Sequence, residues 1–450
     1  MTDTLSSKLA RLNSPQNKAV NSIIDGWDSP TGEFVFPIVD GPPGTGKTEV
    51  GAVAVAKYAR EVTKSQSTYL CYTHFAADRA LESFVEMGFS ASDVIRVVDV
   101  GKITSYRRSP LSDYYVYVQG ESMGQNDERR LRNASILIGT LHGSSKIFRF
   151  RKRPLLVIDE FSQVSPPMFF GTLSIINSFG NNPTGYALLG DPNQLPVITS
   201  QEFLRPNIGV FICSRNDYSP HELATQYRMH PNVCQAVNAL RFALNTYPLT
   251  THESASTRTL ATLGYSWHEE ACRETFREIL NPKNTCVMIN TDALPDGEMT
   301  SLDGSKYFQP EAVLAAEISR AVHQAYVSPE SGNLRPTILS PYNAQISLVR
   351  DLLPPELKDN CMTIYKSQGR EYPCVIVSLA RKNDTQSIGF LGEPDLRAQA
   401  YVACSRAKAK LILLFSFSTF RGHREYDILL ERCKDALIVD AARNWGEVRD

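Results

Sequence analysis

Short apolar runs alternate with amphipathic stretches along the chain. Phe34 to Val39, Thr68 to Tyr72, Ser135 to Gly139, Pro154 to Ile158 and Tyr186 to Leu189 each read as a buried strand. Helical stretches lie among them, the clearest being Glu49 to Val62 and the one opened by Thr73 to Asp78. The second half repeats the alternation. Helical patterns cover His268 to Ile279, Pro310 to Tyr326 and Gln399 to Lys408; strands cover Cys286 to Asn290, Met362 to Ile364, Cys374 to Leu379 and Lys410 to Phe415. Thr337 to Gln345 reads as strand into helix. Strands separated by helices predict an α/β fold with mostly parallel sheets.

The 450 residues exceed one ordinary core and predict two domains, 1–221 and 222–450. The less regular stretch 79–132 reads as a subdomain inserted in the first. The net charge of −1 advertises no global field for nucleic acid, so any such site is a local patch. Nine cysteines are scattered without a C-x-x-C pair, which fits a reduced intracellular protein, in cytoplasm or nucleus, with no zinc module. No apolar run is long enough to span a membrane, and Met1 to Ala10 lacks a secretion signal.

The chemistry centres on Gly41-Pro42-Pro43-Gly44-Thr45-Gly46-Lys47-Thr48, between a strand and a helix. This is the P-loop pattern and context. The glycines let backbone N–H groups close round phosphate oxygens, and the helix start adds its positive end. Lys47 suits the β- and γ-phosphates, and the Thr48 hydroxyl suits Mg²⁺. Asp159, ending a strand, supplies a second magnesium-organising group, and Glu160 a base for the attacking water. Gln194, in a tight Gly-Asp-Pro-Asn-Gln loop, is placed as a polar γ-phosphate sensor. Gln16 carries the donor and acceptor needed to read an adenine edge. Tyr227 can stack on a base, and Arg228 can neutralise charge on a transferring phosphoryl group. Thr73 and His74 lie in a βα loop where they can meet a sugar-phosphate backbone, or form an ordinary turn. The basic run Lys146 to Arg153 reads equally as a phosphate-facing loop or as a guard before the next apolar strand.

Taken in order, GPPGTGKT, DEFSQ, GDPNQLP, QYRMHP, KSQGRE and VACSRAK resemble the superfamily 1 helicases from Gln16 to about Phe415. The wording is similar to the nonsense-mediated-decay (Upf-like) and senataxin group. TIYKSQG and AYVACSRA are similar to the RecD-like and Pif-like helicases. The resemblance implies two RecA-like domains holding ATP and Mg²⁺, with a single strand of RNA or DNA across them. It implies 5′→3′ movement and protein regulators; the Upf-like wording tips the strand toward RNA. It gives Arg228 and Arg406 the role of arginine fingers. Gln16 and Tyr227 would hold adenine, and Glu371, in the motif around Gly369, would contact the nucleotide sugar. Strand contacts would come from Thr73, His74, Thr140, Pro341, Tyr342, Tyr365, Lys366 and Ser367. The short stretch ahead of Gln16 implies no N-terminal zinc domain. A rival reading is a nucleotide-switched clamp on nucleic acid or protein that hydrolyses ATP with little unwinding.

Overall fold

The computed structural model describes residues 4–27, 37–61, 66–99, 101, 106–107, 109–118, 123–149, 155–179, 185–197, 199, 201, 204–216, 219–393, 396–442 and 445. The chain divides into two compact units, Met1–Leu223 and Ala224–Asp450.

The first unit is built on eight strands: β1 Ile38–Asp40, β2 Ser67–Cys71, β3 Val94–Asp99, β4 Tyr115–Val118, β5 Ile136–Thr140, β6 Leu155–Asp159, β7 Gly185–Gly190 and β8 His221–Glu222. They lie in the order β4-β3-β5-β2-β6-β7-β1-β8, and every pairing is parallel. Both faces are covered, which is why the strands read as continuous apolar runs. Val39, Ile138 and Leu189 belong to one core, and their chain neighbours Ile38, Leu137 and Leu188 to the other. Parallel pairing brings the strand ends into one row, with Thr140 beside Cys71, Cys71 beside Asp159, and Asp40 beside Gly190.

The segment 79–132, expected as an inserted subdomain, supplies β3 and β4 to this same sheet. Its apolar residues Val94, Ile95, Val97 and Val116 are buried there. Phe34 to Phe36, Val62 and Pro154 of the expected elements, and Phe150 to Arg153 of the basic run, lie outside the described residues.

The second unit is built on a sheet of six strands, every pairing in it parallel. Their order is Cys361–Thr363, Thr337–Ser340, Tyr372–Ser378, Ala407–Phe415, Cys286–Asn290, Leu437–Asp440. Two expectations change. His268 to Ile279 is not one helix but 3-10 turns at Glu269–Ala271 and Glu274–Phe276, then a short helix, Arg277–Leu280. Cys272 and Arg273 between them are extended, and Arg273 pairs with Glu317 on the long helix Gln309–Ala325. The helix at Gln399 ends at Cys404, because Ala407 already pairs with Tyr372 in the sheet.

Glu311, in the first turn of Gln309–Ala325, is fully buried and bolts this sheet's carboxyl edge. It accepts from Ser378 Oγ at 2.7 Å, Ala380 N at 2.8 Å and Thr291 Oγ1 at 3.2 Å. Burial outweighs these bonds and raises its pKa to about 7. The unfolded chain therefore ionises this carboxyl first. The stability it contributes is full below about 4.5 and is lost as pH rises to about 7, a change of about 3 kcal/mol. Glu311→Gln should remove this component. Paired thermal melts from pH 5 to 8 should show the variant gaining on wild type as pH rises; a constant gap would show that Glu311 does not titrate there.

Candidate nucleotide and strand sites

In the first unit the glycine loop leaves the end of β1, and Lys47 begins the helix Lys47–Glu61. Gly44 and Gly46 sit at φ 82° and 81°, a region costly to other residues. At Gly41 a Cβ would stand 2.4 Å from Lys47 Cβ, so only glycine lets the chain fold back on that lysine. The loop is also tied to itself, Thr45 Oγ1 donating to Pro42 O at 2.7 Å. The first N–H groups of an α-helix find no acceptor within it, which leaves this helix start suited to an anion.

Asp159 is buried at the end of β6. It accepts from Thr48 Oγ1 at 2.7 Å and Tyr69 OH at 3.0 Å, and its other oxygen accepts from Glu160 N at 2.8 Å. Burial pushes its carboxyl up, while Lys47 and the Thr48 bond pull it back. Glu160 is held left-handed, at φ 60° and ψ 46°, a strained position for a non-glycine. Its carboxylate lies 2.9 Å from Lys47 Nζ. The hydroxyl and carboxylate oxygens of Thr48 and Asp159 are the hard donors magnesium takes, and the glycine cradle fits a phosphate chain. Gln194 is buried in the loop after β7, its amide 3.5 Å from Asp191 Oδ2.

Gln16 lies in the first turn of the helix Ser14–Trp27, which the sequence reading had not placed. Its carbonyl accepts from Asn13 N while Asn13 Oδ1 accepts from Gln16 N, both at 2.9 Å, a reciprocal cap. Its amide donates to Thr45 O at 2.9 Å, so the residue clasps the glycine loop.

The second unit gathers another set. Arg228 Nε is 2.7 Å from Glu371, and Lys408 Nζ is 2.6 Å from that carboxylate's other oxygen. Gln226 shapes the turn, its side-chain oxygen accepting from Arg228 N and Met229 N at 2.8 and 2.7 Å. Tyr227 stacks at 4.5 Å on His252. Gly369, at φ 76°, turns the chain toward Glu371. Arg406, expected as a second finger, is instead only 2% exposed. It donates to Val402 O at 2.9 Å, Arg370 O at 3.2 Å and Ser405 Oγ at 2.9 Å.

The expected strand contacts divide. Thr73 and His74 follow β2, and Thr140 ends the adjacent β5, at the carboxyl edge. Thr73 Oγ1 caps the helix His74–Glu86, and His74 Nδ1 meets Arg96 Nη2 at 2.9 Å. Pro341, Tyr365 and Lys366 reach the surface at least in part, at the ends of two adjacent strands of the second sheet. Tyr342 and Ser367 turn inward: Tyr342 packs on Phe390 and accepts from Arg381, and Ser367 Oγ bonds Ile364 O.

Four supporting residues escaped the sequence reading: Tyr69, Arg96, Gln226 and Lys408. Arg96 carried a signal, being an arginine inside the apolar strand Val94–Asp99, fully buried and paired with Asp78 at 3.2 Å. Lys408 also had one, two positions after Arg406 in the same motif. Tyr69 and Gln226 had none, since only the fold brings Tyr69 to Asp159.

Two family descriptions match, each an AAA domain, over residues 34–200 and 210–417. The chain is similar to the DNA replication ATP-dependent helicase/nuclease JHS1 of Arabidopsis thaliana, at 24% identity over 94% of this chain and 30% of that protein. It is similar to DNA2 of Saccharomyces cerevisiae, described in the same words, at 26% identity over 96% of this chain and 28% of that protein. Regulator of nonsense transcripts 1 of Dictyostelium discoideum matches at 24% identity, over 90% and 31%. The chain thus spans about a third of the length of these relatives. Among solved structures it is similar to arterivirus nonstructural protein 10, a helicase in complex with DNA, at 14% identity and a TM-score of 0.44, over 92% of this chain and 65% of that one. With two parallel-sheet units and the ordered motifs on their strand ends, the chain belongs to the superfamily 1 helicases of the Upf1-like type.

Proposed function

We propose that this chain is an ATP-driven motor on single-stranded nucleic acid, moving 5′→3′ and separating duplexes. One observation carries the reading: Lys47, Thr48, Asp159 and Glu160 converge at the carboxyl edge of one parallel sheet. Bound Mg²⁺–ATP supplies the phosphoryl group whose transfer to water drives the motor. Lys47, with the N–H groups of the glycine loop, holds the phosphates; Thr48 and Asp159 hold the metal. Glu160 accepts the proton of the attacking water, and its strained backbone fixes the carboxylate's aim. Gln16 braces the loop. Arg228, poised on Glu371, supplies the cation that balances charge on the transferring group.

For the strand we favour DNA, against the tilt of the motif wording toward RNA, because JHS1 and DNA2 are described as DNA replication proteins. Regulator of nonsense transcripts 1 keeps RNA as the second reading. The clamp reading also stands, since two thirds of the relatives' length lies beyond what this chain matches.

Steady-state ATP hydrolysis alone, with oligo-dT and with poly-U, tests the function. Stimulation by oligo-dT supports the DNA motor, a stronger response to poly-U reverses the strand, and indifference to both refutes the proposal. Strand-stimulated hydrolysis that leaves a tailed duplex intact favours the clamp. Glu160→Gln should retain nucleotide, read by titration with a fluorescent analogue, and lower turnover roughly a thousandfold. Normal turnover would remove Glu160 as the base. Arg228→Ala should also bind nucleotide yet turn over roughly a thousandfold more slowly. A loss confined to binding would make Arg228 a nucleotide ligand only.

A further inference from the structure

The turn 226–229 carries the two side chains assigned to the nucleotide, Tyr227 and Arg228. The two peptide planes that flank Arg228 are gripped at both edges. Their N–H groups, those of Arg228 and Met229, donate to Gln226 Oε1. Their carbonyls, those of Tyr227 and Arg228, accept from a side chain thirty residues away: Arg258 Nη1 donates to Tyr227 O at 2.6 Å and to Arg228 O at 2.7 Å. Peptide units are planar, so only φ and ψ of Arg228 lie between these two carbonyls. A single nitrogen that bonds both therefore locks those torsions, and with them the direction in which the Arg228 side chain leaves the backbone.

Arg258 is itself well placed. The segment that leads to it pairs in parallel with the turn, Thr250 with Thr225 and Thr251 with Gln226. His252 N donates to Gln226 O at 2.9 Å, and the His252 ring packs on Tyr227. A short helix, Glu253–Ser256, follows, with Ala255 buried. Arg258 N donates to Ala255 O at 3.2 Å, and Arg258 Nη2 to Ser254 O at 3.4 Å. The half-buried guanidinium thus reaches the turn from a base that is bonded to the same turn.

We infer that Arg258 is a positioning residue for ATP hydrolysis: it fixes the backbone from which Arg228 swings, and acts through Arg228 rather than on the nucleotide. The inference rests on the assignment of Arg228 to the transferring phosphoryl group. Leaving Glu371 requires rotation of the Arg228 side chain only. If the backbone turned as well, the guanidinium would arrive misplaced, and small misplacements near a reacting centre are costly. Gln226 holds one edge of each plane and Arg258 the other, so the side chain moves and its root does not.

The test is a double-mutant cycle on steady-state ATP hydrolysis, with and without oligo-dT. Arg258→Ala should lower kcat about a hundredfold, with the half-stimulating concentration of oligo-dT unchanged. In the Arg228→Ala background the same change should lower kcat by less than about threefold, since nothing remains to be aimed. Equal factors in both backgrounds would overturn the inference and make Arg258 a support of the fold alone. Unchanged kcat in Arg258→Ala would overturn it too. Indifference of the wild type to oligo-dT would refute the strand motor and leave the cycle readable from the basal rate. Normal turnover by Arg228→Ala would refute the assignment of Arg228, and the inference with it.

Discussion

The bond from Thr48 Oγ1 to Asp159 Oδ2, 2.7 Å long, joins the loop after β1 to the end of β6, two strands away. Strand β7 lies between them. The loop must therefore cross the end of β7, and that strand ends on glycine. A Cβ at Gly190 would stand 2.6 Å from the Phe161 ring, and one at Gly209 would stand 2.4 Å from it on another side. Gly190 also accepts from Gly41 N at 2.7 Å, which starts the crossing. The buried Phe161 is thus the floor under the paired acids, and two glycines make room for it. Larger residues at either position would lift Phe161 and carry Asp159 and Glu160 away from Lys47.

The fold class was legible because parallel strands buried on both faces leave uninterrupted apolar runs with helices between. The glycine loop was legible because phosphate chemistry demands particular residues at fixed spacing. What escaped was whatever depends on burial. Tyr342 and Ser367 have the chemistry of strand contacts, but the core around Phe390 and Ile364 claims them. Gln16 looked like an adenine reader, yet both ends of its amide are used to cap a helix and brace a loop. The stretch from His268 shows helical spacing, and Arg273 leaves it for a distant glutamate. Hydrogen-bond capacity can be read from sequence; the partner that uses it cannot.

In the second sheet the candidate groups sit at opposite edges. Glu371 and Arg406 precede the strands Tyr372–Ser378 and Ala407–Phe415, while Pro341 and Lys366 lie beyond the carboxyl ends of their neighbours. The strand Tyr372–Ser378 spans that distance, about 20 Å. Its first residue donates to Arg406 O at 2.8 Å. At its far end Ser378 Oγ accepts from Gln345, on the helix that follows Pro341. The Glu371 end is thus joined by hydrogen bonds, past a register shift between Tyr372 and Cys374, to the helix that follows Pro341.

The two arginines expected to share one role differ in what it costs to move them. Arg406 is nearly fully buried, and three of its nitrogens serve protein acceptors, two of them backbone carbonyls. Withdrawing a guanidinium from such bonds costs about 1.5–3 kcal/mol for each one lost and leaves buried carbonyls unpaired. One of those carbonyls belongs to Arg370, the neighbour of Glu371, so Arg406 fixes the height of that carboxylate. Arg228 pairs with Glu371, which also serves Lys408, and Arg228 Nη1 donates to Ser405 O at 3.1 Å. When Arg228 leaves, Lys408 stays to neutralise Glu371, so the carboxylate is never stranded. Arg228 thus has one backbone carbonyl to give up where Arg406 has two, and Arg406 braces the segment that carries Glu371.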